Sequence, residues 1–87
     1  MAIESPRRRT SLDVAASMLD ACYFGIGKTH MMSRCKMTSK QFAGYLDLLL
    51  KAKLLQIENE RQHFLFRISS KGKDFLKLYG SMKTLME

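Results

Sequence analysis

The chain has 87 residues, 46% of them hydrophobic, with 15 Lys+Arg against 8 Asp+Glu and a net charge of +7. That length bounds it to about one domain, and five Gly with one Pro in so apolar a chain exclude a disordered one. Two cysteines are too few for a stapled secreted scaffold, no apolar run approaches the roughly 18 residues of a membrane span, and Arg7-Arg8-Arg9 followed by Asp13 gives no signal-peptide core.

Residues 1–10, with Pro6 and the Arg triplet, read as a flexible basic arm. From Ser11, the residues Leu12, Ala15, Ala16, Leu19, Cys22 and Tyr23 repeat at helical spacing and predict one buried stripe, ended by Gly25 and Gly27. Thr29 is the expected N-cap of a short second helix that turns Met31, Met32 and Cys35 inward. A tight connection at Lys36-Met37 follows. Thr38-Ser39-Lys40-Gln41 is a capping box, and Met37 before it with Phe42 after it makes a hydrophobic staple. Phe42, Tyr45, Leu46 and Leu49 are the predicted buried stripe of the third helix; Ser39, Lys40, Ala43, Gly44, Asp47 and Lys51 fall on its other faces.

After Lys53 the period shortens to two. Leu55 and Ile57 alternate, a polar stretch runs from Glu58 to His63, and Phe64, Phe66 and Ile68 alternate again, which predicts a β-hairpin. Its tip lacks Gly, so a longer, mobile turn is expected. Ser69 can cap a last helix carrying Phe75, Leu78, Met82 and Leu85, with Leu76, Tyr79 and Met86 beside them. The expected fold is therefore mostly α with a small β-hairpin. Residues 11–69 form a winged helix-turn-helix and residues 70–87 an additional C-terminal helix.

Positive charge is concentrated in the middle third. Residues 28–53 hold Lys28, Arg34, Lys36, Lys40, Lys51 and Lys53 against Asp47 alone. Such a cluster is either a solvated face or a footprint for phosphates, and charge alone does not separate the two.

Taken together, these pieces resemble the small archaeal winged helix-turn-helix regulators, including archaeal chromatin proteins with a C-terminal dimerising coiled coil. The resemblance spans roughly Arg9 to Tyr79. It rests on Lys28-Thr29-His30-Met31-Met32, on Phe42 to Leu50 with Tyr45-Leu46-Asp47 at its centre, on Leu54-Leu55, and on Ser69-Ser70-Lys71-Gly72-Lys73-Asp74-Phe75-Leu76. It implies binding of double-stranded DNA as a dimer, without enzymatic activity, in a cytoplasmic regulator or nucleoid-associated protein. One departure stands out: where such proteins usually place Gly before the wing, this chain has Lys51-Ala52-Lys53-Leu54. A side chain in a left-handed position there costs roughly 1 kcal/mol.

On that reading the candidate DNA-binding residues are Lys28, Arg34, Lys36, Thr38, Ser39, Lys40, Gln41 and Gly44 around the turn and third helix. Arg61 and His63 at the wing and Arg7, Arg8 and Arg9 in the arm complete the set. Gln41 has two competing roles, capping its own helix or reading adenine, and one amide cannot fill both. Ala43 and Gly44 are small either for packing or for close approach to a groove wall. Glu58 and Glu60 oppose contact by the wing.

A chain this short buries only ~60–65% of its unfolded surface, so a second copy is the expected partner. Its interface would be Phe75, Leu78, Tyr79, Met82, Leu85 and Met86, unless that helix packs back onto the first. Other chemistry finds no support. Gly25-Ile26-Gly27-Lys28-Thr29 resembles the end of a phosphate-binding loop, but the required earlier Gly falls on Cys22. Cys22, His30, Cys35 and His63 match no zinc spacing, so no metal, cofactor or small-molecule substrate is expected. The rival function is a winged-helix protein-interaction module without intrinsic DNA specificity.

Overall fold

The computed structural model describes residues 10–86 and runs α1 (Ser11–Ala21), α2 (Lys28–Cys35), α3 (Ser39–Lys51), β1 (Leu55–Glu60), β2 (His63–Ile68) and α4 (Ser70–Met86). The mostly helical winged helix-turn-helix architecture with an additional C-terminal helix is as expected. The Arg7-Arg8-Arg9 arm lies outside the described residues. No helix among the described residues is long and apolar enough to cross a membrane.

Helix α1 begins at a second capping box, formed between Thr10 and Asp13, which satisfies two otherwise orphaned N–H groups. It packs against α2, α3, α4 and β2. Burial is correspondingly wide: Val14, Ala15, Ala16, Met18, Leu19, Ala21 and Cys22 are all inside. This corrects the predicted stripe. Leu12 and Tyr23 are exposed, Leu12 because it faces the open side of α4, and Tyr23 because the helix has already ended. A helix enclosed by several partners has no single wet face for a 3.6-residue period to mark.

Helix α2 starts earlier than expected. Its N-cap is Gly27, which makes no side-chain cap, and Thr29 lies exposed on the first turn. The cause is Ile26, whose N–H and C=O pair with Phe66 at 3.0 and 2.8 Å and fix the chain just before the helix. Helix α3 begins as predicted: Thr38 Oγ1 accepts from the Gln41 N–H (3.2 Å), while Gln41 Oε1 accepts from the Thr38 N–H (3.1 Å). Phe42 and Leu49 are fully buried, and Tyr45 and Leu46 half-buried.

The hairpin differs at its tip. The strands extend to Glu60 and His63, leaving a two-residue turn in which Arg61 and Gln62 have φ of 51° and 72°. Two successive left-handed residues make the type I′ geometry that matches strand twist, even though neither is Gly or Asn. The longer, mobile turn is thus not formed. The left-handed position before the wing is also kept, by Lys53 at φ 62°. There the Leu54 N–H donates to the Leu49 carbonyl at 2.9 Å, the closure of a Schellman motif.

Ser69 caps α4 as expected, accepting from the Gly72 N–H at 3.0 Å. At Gly72 the helix presses on the chain entering the wing so closely that a Cβ would lie 2.1 Å from the Leu54 carbonyl oxygen. That contact requires glycine.

Candidate nucleic-acid interface

The third helix is amphipathic, so burying Phe42 and Leu49 turns Ser39, Lys40, Ala43, Gly44, Asp47 and Lys51 outward; all six are exposed. Lys40, Gln41 and Gly44 share one shallow depression with Ser11, Tyr45 and Leu48. Tyr45 Oη donates to Ser11 Oγ at 3.5 Å and ties its rim to α1. Ser11 and Leu48 were not singled out from the sequence. Leu48, 54% exposed on an otherwise polar face, is the signal that periodicity offered.

Two of the alternatives are narrowed by geometry. The Gln41 amide oxygen is engaged by the cap, which leaves its NH₂ as the group turned to solvent. A Cβ on Gly44 would meet nothing within 4 Å, so packing within the chain does not explain this glycine. Exposed mid-helix glycine is destabilising by roughly 0.5–1 kcal/mol relative to alanine.

Charge along the helix is uneven. Asp47 is ion-paired with Lys51 at 3.2 Å, so its C-terminal half is locally neutral. At the N-terminal end, Lys36 and Lys40 are exposed and enter no ion pair among the described residues. Lys36 holds a left-handed conformation at φ 54° where α2 ends, and the following Met37 N–H donates to the Met32 carbonyl at 3.0 Å. Lys36 is therefore set in a three-residue connection held by backbone hydrogen bonds, with Thr38 and Ser39 exposed after it.

The remaining candidates lie in separate places. Lys28 is exposed on the first turn of α2. Arg34 and His30 line a cleft with Asp20, Tyr23, Phe24 and Leu65, between the α1–α2 loop and the wing. Arg61 is at the wing tip, and His63 pairs with Glu60 across the strands. Strand register puts Glu58, Glu60, His63, Leu65 and Arg67 on one face of the wing. On that face Arg67 Nε donates to Glu58 at 2.9 Å, a bond that holds the Glu58 carboxyl below its ordinary value.

Helix α4 divides as well. Phe75 packs on the core, and Tyr79 stacks on it and donates to the Asp13 carboxylate. That bond lowers the Asp13 pKa and raises the Tyr79 pKa. These two residues therefore serve α1–α4 packing within the chain. Leu78, Met82, Leu85 and Met86 are exposed, by 71, 39, 85 and 77%, and Leu12 joins Phe75, Leu78, Tyr79 and Met82 in an apolar groove.

Neither cysteine has the setting of a nucleophile or ligand. Both are buried, and burial pushes the Cys22 thiol up to about 11. No group of three or more His, Cys, Asp or Glu suited to a metal occurs among the described residues.

Residues 8–87 match a family model described as winged helix-turn-helix. Among solved structures, a DNA-binding protein from Sulfolobus solfataricus, Sso10a-2, is similar at a TM-score of 0.80 and 22% identity; the match covers 90% of this chain and 82% of that one. A multiple antibiotic-resistance repressor (MarR) from Listeria monocytogenes is similar at 0.64 and 22% identity, over 84% of this chain and 57% of that one. No curated protein matches the chain by sequence.

Proposed function

The chain belongs to the winged helix-turn-helix family, and from that premise we propose that it binds double-stranded DNA as a homodimer, in transcriptional regulation or nucleoid organisation. The observation that carries this reading is the outward face of α3, where Lys40, Gln41 and Gly44 lie together, open to solvent, with Lys36, exposed and in no ion pair among the described residues, in the connection before the helix. A helix in the major groove presents its first turns to base edges while flanking cations hold phosphates. Gly44 lets the backbone approach the groove wall. The Gln41 NH₂ and Lys40 are the base-edge donors; Lys28, Lys36, Thr38 and Ser39 hold the backbone, with Arg34, Arg61, His63 and the Arg7-Arg8-Arg9 arm as flanking contacts. Proteins of similar fold are named as a DNA-binding protein and as a repressor, which agrees with this assignment.

Pairing through Leu78, Met82, Leu85 and Met86 would cover the exposed half of α4 and set two α3 helices about one duplex turn apart, ~34 Å. Titration of labelled duplex DNA at several salt concentrations tests the function. With ~6 phosphates neutralised per dimer, log affinity should fall with log salt at a slope of about −5. Absence of binding at low salt and high micromolar protein would leave the protein-interaction reading in its place. Met82→Glu should yield monomers in sedimentation; an unchanged mass contradicts the helix pair.

A further inference from the structure

The antiparallel register places Ile57, Asn59, Phe64 and Phe66 on one face of the wing. At the base this face is core, with Phe66 buried. Towards the tip the same face loses its cover, and Ile57 and Phe64 are 47% and 65% exposed. They are diagonal neighbours across the two strands, close enough to form one apolar patch. Strand propensity does not explain a phenylalanine here, since Thr or Val would serve it as well.

The direction of the hairpin decides where this patch lies. Its base sits at the C-terminal end of α3, through the bond from the Leu54 N–H to the Leu49 carbonyl. Further out, Phe66 packs edge-on against Phe42, with ring centroids 5.8 Å apart. Phe64 is two residues nearer the tip, about 7 Å. Helix α3 begins only three residues before Phe42, about 4.5 Å. The patch therefore reaches about the level at which α3 begins.

We propose that Phe64, backed by Ile57, is an apolar wedge that enters the minor groove of duplex DNA, opens a base step and bends the helix. The proposal rests on the DNA-binding reading above and assigns the wing a role in deforming the duplex. The placement of charge leaves this face open to DNA. Glu58 and Glu60, which would repel a phosphate wall, are on the opposite face, while Arg61 stands at the tip and Asn59 lies opposite Phe64. The two-residue turn keeps that tip short. Phe and Ile are side chains that minor-groove proteins insert between base steps.

The test uses the full chain and an alternating A·T duplex carrying 2-aminopurine at TA steps, which unstack easily. A second copy of the duplex, labelled at both ends, reports bending by energy transfer. The wild-type protein should raise both signals. Phe64→Thr should lose both and bind roughly tenfold more weakly with the salt slope unchanged, while Phe64→Leu keeps them; thermal melts monitored by circular dichroism confirm that each variant is folded. Binding by wild type with neither signal, or retention of both signals in Phe64→Thr, overturns the wedge and leaves DNA binding standing. A change confined to the sedimentation of free Phe64→Thr also overturns it, because the patch then pairs copies of the chain. If wild type binds no duplex, the wedge and the DNA-binding reading fall together.

Discussion

The two ends of α3 are built on opposite principles. At its C-terminal end the backbone carbonyls of Ala52, Lys53 and Leu54 are all engaged. Lys71 Nζ donates to the Ala52 carbonyl (2.8 Å), Ser69 Oγ to the Lys53 carbonyl (2.7 Å), and Gly72 lies against the Leu54 carbonyl with no room for a Cβ. At its N-terminal end the outward side chains touch little, and Gly44, one turn in, faces open space. One helix thus anchors the fold at one end and leaves an open, exposed face at the other. Glycine alone therefore carries no message: Gly72 is required by contact inside the chain, whereas at Gly44 a Cβ would meet nothing within 4 Å.

The largest effects are expected from a methyl group added at the anchored end and from charge reversal at the open one. Gly72→Ala should destabilise the protein by at least about 2–3 kcal/mol, because the methyl meets backbone and the Ile68 side chain rather than a flexible tip. A melting temperature unchanged from wild type would contradict the seam. On the open end, Lys36→Glu combined with Lys40→Glu should leave the melt unchanged within about 0.5 kcal/mol. DNA affinity at low salt should fall roughly 100-fold, since two cations become two anions. Retained affinity would place the site elsewhere.

Smaller effects sharpen the picture. Tyr79→Phe removes the hydroxyl that binds Asp13 and should cost about 1 kcal/mol at neutral pH. The pH dependence has a defined sign. The Asp13 carboxyl is held below its ordinary value first by the Tyr79 hydroxyl, then by the Thr10 backbone N–H, so its stabilisation is present above about pH 4 and lost as pH falls through the lowered folded value. The Tyr79 pKa is raised by the same bond, so that contribution is complete below about pH 10 and lost as pH rises through the raised value. Tyr79→Phe should flatten both limbs of a stability–pH curve; a curve superimposable on wild type would show that the bond contributes nothing.

Least in size, Gly44→Ala should stabilise the fold by about 0.5–1 kcal/mol while weakening DNA binding. Lys53→Gly should stabilise by a similar amount and leave binding unchanged, because it relieves a left-handed lysine at the anchored end. Loss of stability in either variant by thermal melt would contradict the account.

How much of this was legible in the sequence follows from the range of the forces involved. The start of helix α3 was readable to the residue, since Thr38, Gln41, Met37 and Phe42 form a local code within one turn. The tip of the wing was not: pairing of Phe64 with Asn59 and of Phe66 with Ile57 fixes a two-residue turn and forces Arg61 and Gln62 into φ values that their side chains disfavour. The start of α2 was missed for a similar reason, as the Ile26–Phe66 pairing is long-range. The cationic cluster was legible as composition, but its division was not. Arg34 turns into the cleft beside Phe24, while Lys40 lies on α3 next to Gly44, and only the fold separates them.

If the protein binds DNA as proposed, the open N-terminal end of α3 is the face that contacts it. Amide chemical shifts followed by NMR as duplex DNA is titrated in at low salt test it directly. The largest shifts are expected at Lys36 to Gly44 and around the wing tip from Asn59 to Phe64, with the seam from Ala52 to Leu54 and Ser69 to Gly72 little changed. Shifts concentrated at that seam or along the exposed half of α4, with Lys36 to Gly44 unmoved, would contradict it.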